Sequence, residues 1–308
     1  MTFEGIACTL DRVFTIHSQT MTDVGCIIID DLDESLSLLS PHGREIVGPG
    51  AFQIRDAVSA FASKRNWMII RHEDFSRWAM NILGESQDRC IILDPLIFPH
   101  SVGRDISLRL TRIRGAQGDT ISFDDAGRAL EGMNGRVNIL DDAASSGRTL
   151  RAVHQLVTAT GGHVSGILLC ASSLESRNSV RLLSRDVQWR DYAKGNFRVV
   201  HLRDGCPYVP LSGRSTGRTI SADTADCTIQ LRVPSVSIAG NLWQVMWVDR
   251  GIRQAIGDAY KLVAVNLSTT LSREAKVSDL ALLGSMISVW SGLHEEVDKS
   301  SLLNDLRW

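Results

Sequence analysis

Residues 138–153 read NILDDAASSGRTLRAV: an apolar run that ends in two adjacent acids, then small and hydroxyl-bearing residues, a glycine and a threonine. The run RVNIL (136–140) predicts a strand, 141–147 a turn, and a helix starts at about 148. The first backbone N–H groups of a helix have no partner within it, and the helix dipole makes that end attractive to an anion. Ser145, Ser146 and Thr149 add hydroxyl donors, while Ala143, Ala144 and Gly147 keep the turn slim enough for a phosphate to approach the backbone. Asp141 and Asp142 at the strand end suit ribose hydroxyls, or a hydrated divalent cation beside them, rather than the phosphate itself. The pattern implies a sugar phosphate as ligand.

Working outward, apolar runs alternate with helix-length segments: WMIIRH (67–72), a helical stretch from about Phe75 to Leu83, RCIILDPLIF (89–98), a helix around 103–113, then RVNIL. A helix over about 148–160, HVSGILLCASS (163–173) and FRVVHL (197–202) follow, with Gly161 and Gly162 placed to stop the helix before the next strand. Such alternation predicts an α/β fold with a central, mainly parallel sheet flanked by helices. The expected organisation is an N-terminal extension over 1–64 that could form a hood, a core over 65–218, and a β/helical section over 219–308 for packing or dimerisation. The extension holds its own buried strand, VGCIIIDDL (24–32). Residues 111–135, polar and glycine-containing, read as a long mobile connection or a β-hairpin excursion.

The 308 residues are 44% hydrophobic and 22% charged, with a formal charge of −2, so the chain as a whole is no nucleic-acid-binding polycation. The six cysteines are scattered without a C-x-x-C pair, which suggests reduced thiols rather than a zinc site or a disulfide framework. The start MTFEGIACTLDRVF has no secretory pattern, and no apolar run approaches the roughly 20 residues of a membrane span. A cytoplasmic location is expected.

The segment 137–149 resembles the phosphoribosyl-pyrophosphate (PRPP) motif of type I phosphoribosyltransferases, and the resemblance extends over roughly residues 65–215. It implies a type I phosphoribosyltransferase-like fold in which Asp141 and Asp142 hold the ribose hydroxyls and are the catalytic pair. Residues Ala143, Ala144, Ser145, Ser146, Gly147, Arg148 and Thr149 would bind the 5-phosphate. The family's pyrophosphate loop maps by position onto His100, Ser101, Val102, Gly103 and Arg104. Its flap would be 111–135, with Arg112, Arg114 and Arg128 reaching the leaving pyrophosphate. Its acceptor loop maps onto Asp204, Tyr208 and Arg214. Mg²⁺ is the implied cofactor, with Asp141 and Asp142 near it through water or ribose. The implied partners are PRPP and a small base, with no membrane or nucleic acid, and family members commonly pair. One departure stands out: no lysine occurs between Lys64 and Lys194, so a family-type lysine contact must be made by arginine or be absent.

The resemblance therefore implies transfer of the phosphoribosyl group to a nitrogen acceptor, with a non-catalytic PRPP-binding sensor on the same fold as the alternative. A synthetase that makes PRPP shares the fold, but no ATP site is recognisable. The motif could also be a capped strand–helix junction and no more. The pairs Asp30-Asp31 and Asp124-Asp125 repeat the dipeptide without the hydroxyl-Gly-Thr turn and are expected to face solvent. Near the C-terminus, Leu280, Leu283, Ile287, Trp290 and Leu293 recur at helical spacing, an apolar stripe suited to the core or to a homodimer contact.

Overall fold

The computed structural model describes residues 26–65, 67–94, 96–97, 107–109, 112–114, 121–123, 130, 135–144, 146–181, 186–193, 198–206, 209, 219–223, 228–232 and 249–275. The chain divides into two compact units, residues 70–199 and residues 1–69 with 200–308.

In chain order the strands are β1 Cys26–Asp30, β2 Met68–Arg71, β3 Arg89–Ile92, β4 Ser107–Arg109, β5 Arg112–Arg114, β6 Ile121–Phe123, β7 Gly135–Ala144, β8 Gly162–Ser172, β9 Gln188–Asp191, β10 Arg198–His201, β11 Thr219–Asp223 and β12 Thr228–Arg232. The helices are α1 Leu32–Ser37, α2 Pro41–Lys64, α3 His72–Gly84, α4 Arg148–Ala159, α5 Leu174–Arg181 and α6 Arg250–Leu271, with a 3-10 turn at Leu202–Gly205.

Unit 70–199 is built on a five-stranded sheet in the order β4-β3-β7-β8-β9, and every neighbouring pair is parallel. Parallel strands require crossovers, and the helices of those crossovers cover the faces. Val137 and Ile139 of β7 pack with Val164, Ile167 and Leu169 of β8 and with Leu150, Val153 and Val157 of α4. The three α4 positions recur at helical spacing, so one stripe of that helix meets the sheet. Leu140, Ile92 and Leu168 are buried as well, as are Phe75, Ala79 and Leu83 of α3.

The order of strands fixes where a ligand can sit. From β3 the chain moves outward to β4, then returns to the other side of β3 with β7 and continues to β8 and β9. The chain leaves β3 toward one edge of the sheet and β7 toward the other, and such a switch in strand order is the usual ligand position in open α/β sheets.

The other unit holds a three-stranded sheet, β10-β1-β2, whose outer strands straddle the unit boundaries. Helix α2 begins with Pro41 in its first turn behind Ser40, whose Oγ accepts from the Gly43 amide at 2.9 Å. Helix α6 is capped by Asp249, which accepts from the Gly251 and Ile252 amides at 2.8 and 3.1 Å. The two helices approach closely: a Cβ on Gly50 would lie 3.0 Å from the Cα of Ala259. Side chains of β1, α1, α2, the 3-10 turn and α6 form one apolar cluster, including Ile28, Ile54, Phe61, Leu202, Ile256 and Leu267. Strands β11 and β12 form an antiparallel pair.

Three expectations change. The segments around 67–72 and 197–202, expected among the strands of the core, instead flank β1 as β2 and β10. The helix expected around 103–113 is absent from the described residues there, which form β4 and β5. The alternation Ile106, Leu108, Leu110 in the sequence has the period of a strand. The pair Asp30-Asp31 does not face solvent: Asp31 is 0% exposed, and the Asp30 side chain is 14% exposed. The residues of the apolar stripe, 280–293, lie outside the described residues, as do Asp124 and Asp125. Within 111–135, β5 and β6 pair antiparallel, Arg112 opposite Phe123, as the hairpin reading expects.

Candidate active site

Strand β7 runs four residues further than the apolar run alone suggests, to Ala144, so both aspartates belong to the strand and the turn begins at 145. The β7–β8 pairing accounts for this, since Asp141 is level with Leu169 and Ala144 with Ser172. Asp141 and Asp142 are 1% and 4% exposed. A carboxylate tolerates such burial when donors meet it. The Asp141 Oδ1 accepts from the Asp142 amide at 3.1 Å, and the Asp142 Oδ1 accepts from the Ala143 amide at 2.7 Å.

Beyond Ala144 the chain turns sharply. Gly147 takes φ +69°, a left-handed conformation that side chains disfavour, and it is the N-cap of α4 with no side-chain cap bond. A Cβ there would also lie 3.1 Å from the Ser176 carbonyl oxygen and 3.2 Å from its Cα. Ser146 is half-buried and its Oγ lies 3.5 Å from the Arg148 amide; Arg148 is exposed, and Thr149 is buried. Ser145 is outside the described residues. The turn thus presents the start of a helix through a residue without a side chain, which suits a phosphate more than a self-capped junction would.

A third carboxylate stands beside the pair. The β3–β7 pairing continues past Ile92, with the Leu93 amide donating to the Leu140 carbonyl at 2.7 Å. Asp94, two residues past Ile92, therefore follows the neighbouring strand as Asp142 follows Leu140. It is 0% exposed; its Oδ2 is 2.7 Å from Nε2 of buried His72, and its Oδ1 accepts from the Leu96 amide at 2.8 Å. The aspartate shapes the first turn of the connection leaving β3, and Ser76 Oγ lies 3.3 Å from the other ring nitrogen of His72. Neither His72 nor Asp94 was singled out from the sequence; the only signal was an acid ending the IIL run, as Asp141 ends NIL.

Of the remaining candidates, His100, Ser101, Val102, Gly103 and Arg104 all lie outside the described residues, as do Arg128, Tyr208 and Arg214. Arg112 and Arg114 occupy β5. Asp204 is the half-buried residue of an otherwise buried 3-10 turn in the other unit. No group of three or more potential metal ligands occurs among the described residues, and none of their helices is long and apolar enough to cross a membrane.

No protein-family model matches the chain, and no curated protein matches it. Among solved structures it is similar to the adenine phosphoribosyltransferase of Thermoanaerobacter pseudethanolicus, at 16% identity over 37% of this chain and 78% of that one, TM-score 0.27. It is similar also to the adenine phosphoribosyltransferase of Trypanosoma brucei in complex with AMP, pyrophosphate and ribose-5-phosphate, at 14% identity over 41% and 63% of the two chains, TM-score 0.30. The orotate phosphoribosyltransferase of Aeropyrum pernix matches at 16% identity over 37% and 68%, TM-score 0.26.

Proposed function

We propose that the chain binds PRPP at the carboxyl end of β7 and transfers its phosphoribosyl group to a nitrogen acceptor, a nucleobase or related heterocycle, releasing pyrophosphate. The observation that carries this reading is a strand with two buried carboxylates near its carboxyl end, then a left-handed glycine that opens a helix, beside the point where the strand order switches between β3 and β7. In it, the turn 143–149 holds the 5-phosphate through backbone amides and the hydroxyls of Ser145, Ser146 and Thr149. Asp141 and Asp142 hold the ribose hydroxyls. Their negative charge also favours the positive ribose that develops as the bond to pyrophosphate loosens. Residues 100–104 and the arginines of 111–135 are the groups assigned to the departing pyrophosphate.

Mg²⁺ fits the donor set, because it prefers oxygen, keeps several waters, and is commonly held by one or two carboxylates together with substrate phosphates. Asp141 and Asp142 would hold it, directly or through water. When bound it neutralises charge on the pyrophosphate. A cytoplasmic homodimer, paired through the stripe 280–293, completes the reading; sedimentation of the purified protein tests the pairing.

The experiment is pyrophosphate release from PRPP with Mg²⁺ across a panel of bases, beside direct titration of PRPP. Release with at least one base is the expected result. Binding without release on any acceptor would favour a PRPP sensor, which the absence of lysine between Lys64 and Lys194 also favours. No binding would remove the reading.

A further inference from the structure

Helix α5 has eight residues, LESRNSVR, too few to be stable alone, and Val180 is a buried apolar side chain among them. Yet it is the surface against which the phosphate turn rests, since Ser176 and Ser179 crowd the space where Gly147 would carry a side chain. Polar bonds also tie α5 down at its start and middle. Its start is tied to the end of β7 by the Ser173 amide, which donates to the Ala144 carbonyl at 2.9 Å, and Ser173 Oγ accepts from the Ser176 amide at 3.0 Å. Its middle is tied to the ends of β8 and β9. Arg177 Nε donates to Ser172 Oγ at 2.8 Å, and Arg177 Nη2 lies 2.6 Å from Asp191 Oδ2. Ser172 Oγ donates to the same Asp191 oxygen at 2.9 Å, and Trp189 Nε1 lies 3.0 Å from Asp191 Oδ1. The Asp191 side chain is 4% exposed, so this is a largely buried clamp rather than a surface ion pair.

We propose that Arg177 is a positioning residue for the phosphate turn: clamped by Asp191 and Ser172, it fixes α5 against Gly147 and so sets the width of the cradle for the 5-phosphate of PRPP. This rests on the functional reading above. The planar guanidinium reaches a hydroxyl and a carboxylate at once, which an ammonium on a flexible stem does not reproduce at fixed geometry. Nothing in the clamp touches the bond that breaks. Its effect falls on binding of the phosphoribosyl group rather than on the chemical step.

The test uses the full chain with Mg²⁺, titrated with PRPP and separately with ribose 5-phosphate, for wild type, Arg177→Met, Arg177→Lys and Asp191→Asn. Arg177→Met should weaken both ligands about tenfold, which corresponds to about 1.4 kcal/mol of binding. Arg177→Lys should recover part of that loss. The kcat at saturating PRPP should stay within about twofold, because binding lost equally from ground and transition states raises KM alone. A folded Arg177→Met variant with wild-type affinity for both ligands overturns the proposal and leaves the functional reading standing. Wild-type protein that binds neither ligand overturns both. Should Arg177→Met fail to fold, Asp191→Asn decides, since it keeps an acceptor for Ser172 and Trp189 while removing the charge. Loss of the fold in both variants overturns the proposal too, because the clamp would then serve the sheet and not the turn.

Discussion

Two apolar runs of this protein lead into the same dipeptide, Asp30-Asp31 at the end of β1 and Asp141-Asp142 inside β7, two residues before that strand stops, and different groups meet the two pairs. At β1 the acids are met by cations. Asp31 accepts from the Arg203 amide at 3.0 Å and its Oδ2 lies 2.5 Å from Arg203 Nη1 and 2.8 Å from His201 Nδ1. Asp30 bonds Arg55 at 2.9 Å. At β7 the acids accept from the backbone amides of Asp142 and Ala143, and a slim turn follows. A carboxylate pair closed by arginines ties distant segments together. A pair whose carboxylates accept from amides of their own strand, two residues before a slim turn, braces that strand end locally. The difference lies in the chain just after the acids and in the groups that reach them, not in the acids.

The contrast breaks most visibly at Asp31. Asp31→Asn removes the charge that meets buried Arg203 in this pair, and breaking a buried pair by removing one partner costs about 3–5 kcal/mol. A large fall in the urea midpoint is expected, with PRPP affinity of the still-folded protein unchanged. Near-wild-type stability would mean that this pair is as replaceable as a surface one.

Asp141→Asn combined with Asp142→Asn should do the reverse. Hydrogen bonds to charged groups contribute about 1.5–3 kcal/mol each, so losing those to the ribose should weaken PRPP by a factor on the order of 10² to 10⁴. The fold should be retained, because an asparagine oxygen still accepts from the Asp142 and Ala143 amides. Calorimetric titration and thermal unfolding of the double variant measure both sides. Unchanged PRPP affinity would reduce the turn to a capped junction.

Between these lies Gly147→Ala. A side chain in the left-handed region costs roughly 1–2 kcal/mol, and the new Cβ would press on the Ser176 carbonyl at 3.1 Å. Lower stability with weaker PRPP binding is expected, whereas Gly84→Ala, where no atom lies within 4 Å, should be benign.

How far these designs were legible depends on the distance between the residues that make them. The β7 turn lies in one short stretch, so strand, small residues, glycine and helix start could be read together. Even there, the length of β7 was set by pairing with β8, which a local pattern of two acids does not reveal. The Asp31 cluster joins residues 170 or more positions apart, and no periodicity links residue 31 to 201 or 203. The same holds for β2 and β10 beside β1, since partner choice in a sheet is non-local. Helix α6 was legible and missed: Ile252, Ile256, Ala259, Val263 and Leu267 recur at helical spacing behind an aspartate cap.

The smallest expected effect separates the two members of the β1 pair by acid titration. Burial raises the pKa of Asp31, but the Arg203 charge and the bond from His201 outweigh it, and the result lies below the ordinary 3.8. Burial of Asp30 instead prevails over Arg55, and its pKa lies above 3.8. With a lowered folded pKa, Asp31 contributes stability that is complete above 3.8, the value of the unfolded chain, and is lost as pH falls from there through the folded value. Asp30, with a raised one, favours the fold below 3.8, and that contribution is lost as pH rises through its folded value. The stability gap between wild type and Asp31→Asn should therefore be flat above pH 3.8 and shrink below it. The gap between wild type and Asp30→Asn should instead move in wild type's favour as pH falls from neutral toward 3.8. Urea midpoints in steps from about pH 7 to about pH 3 would show both, and parallel profiles for the two variants would mean that both aspartates share one environment.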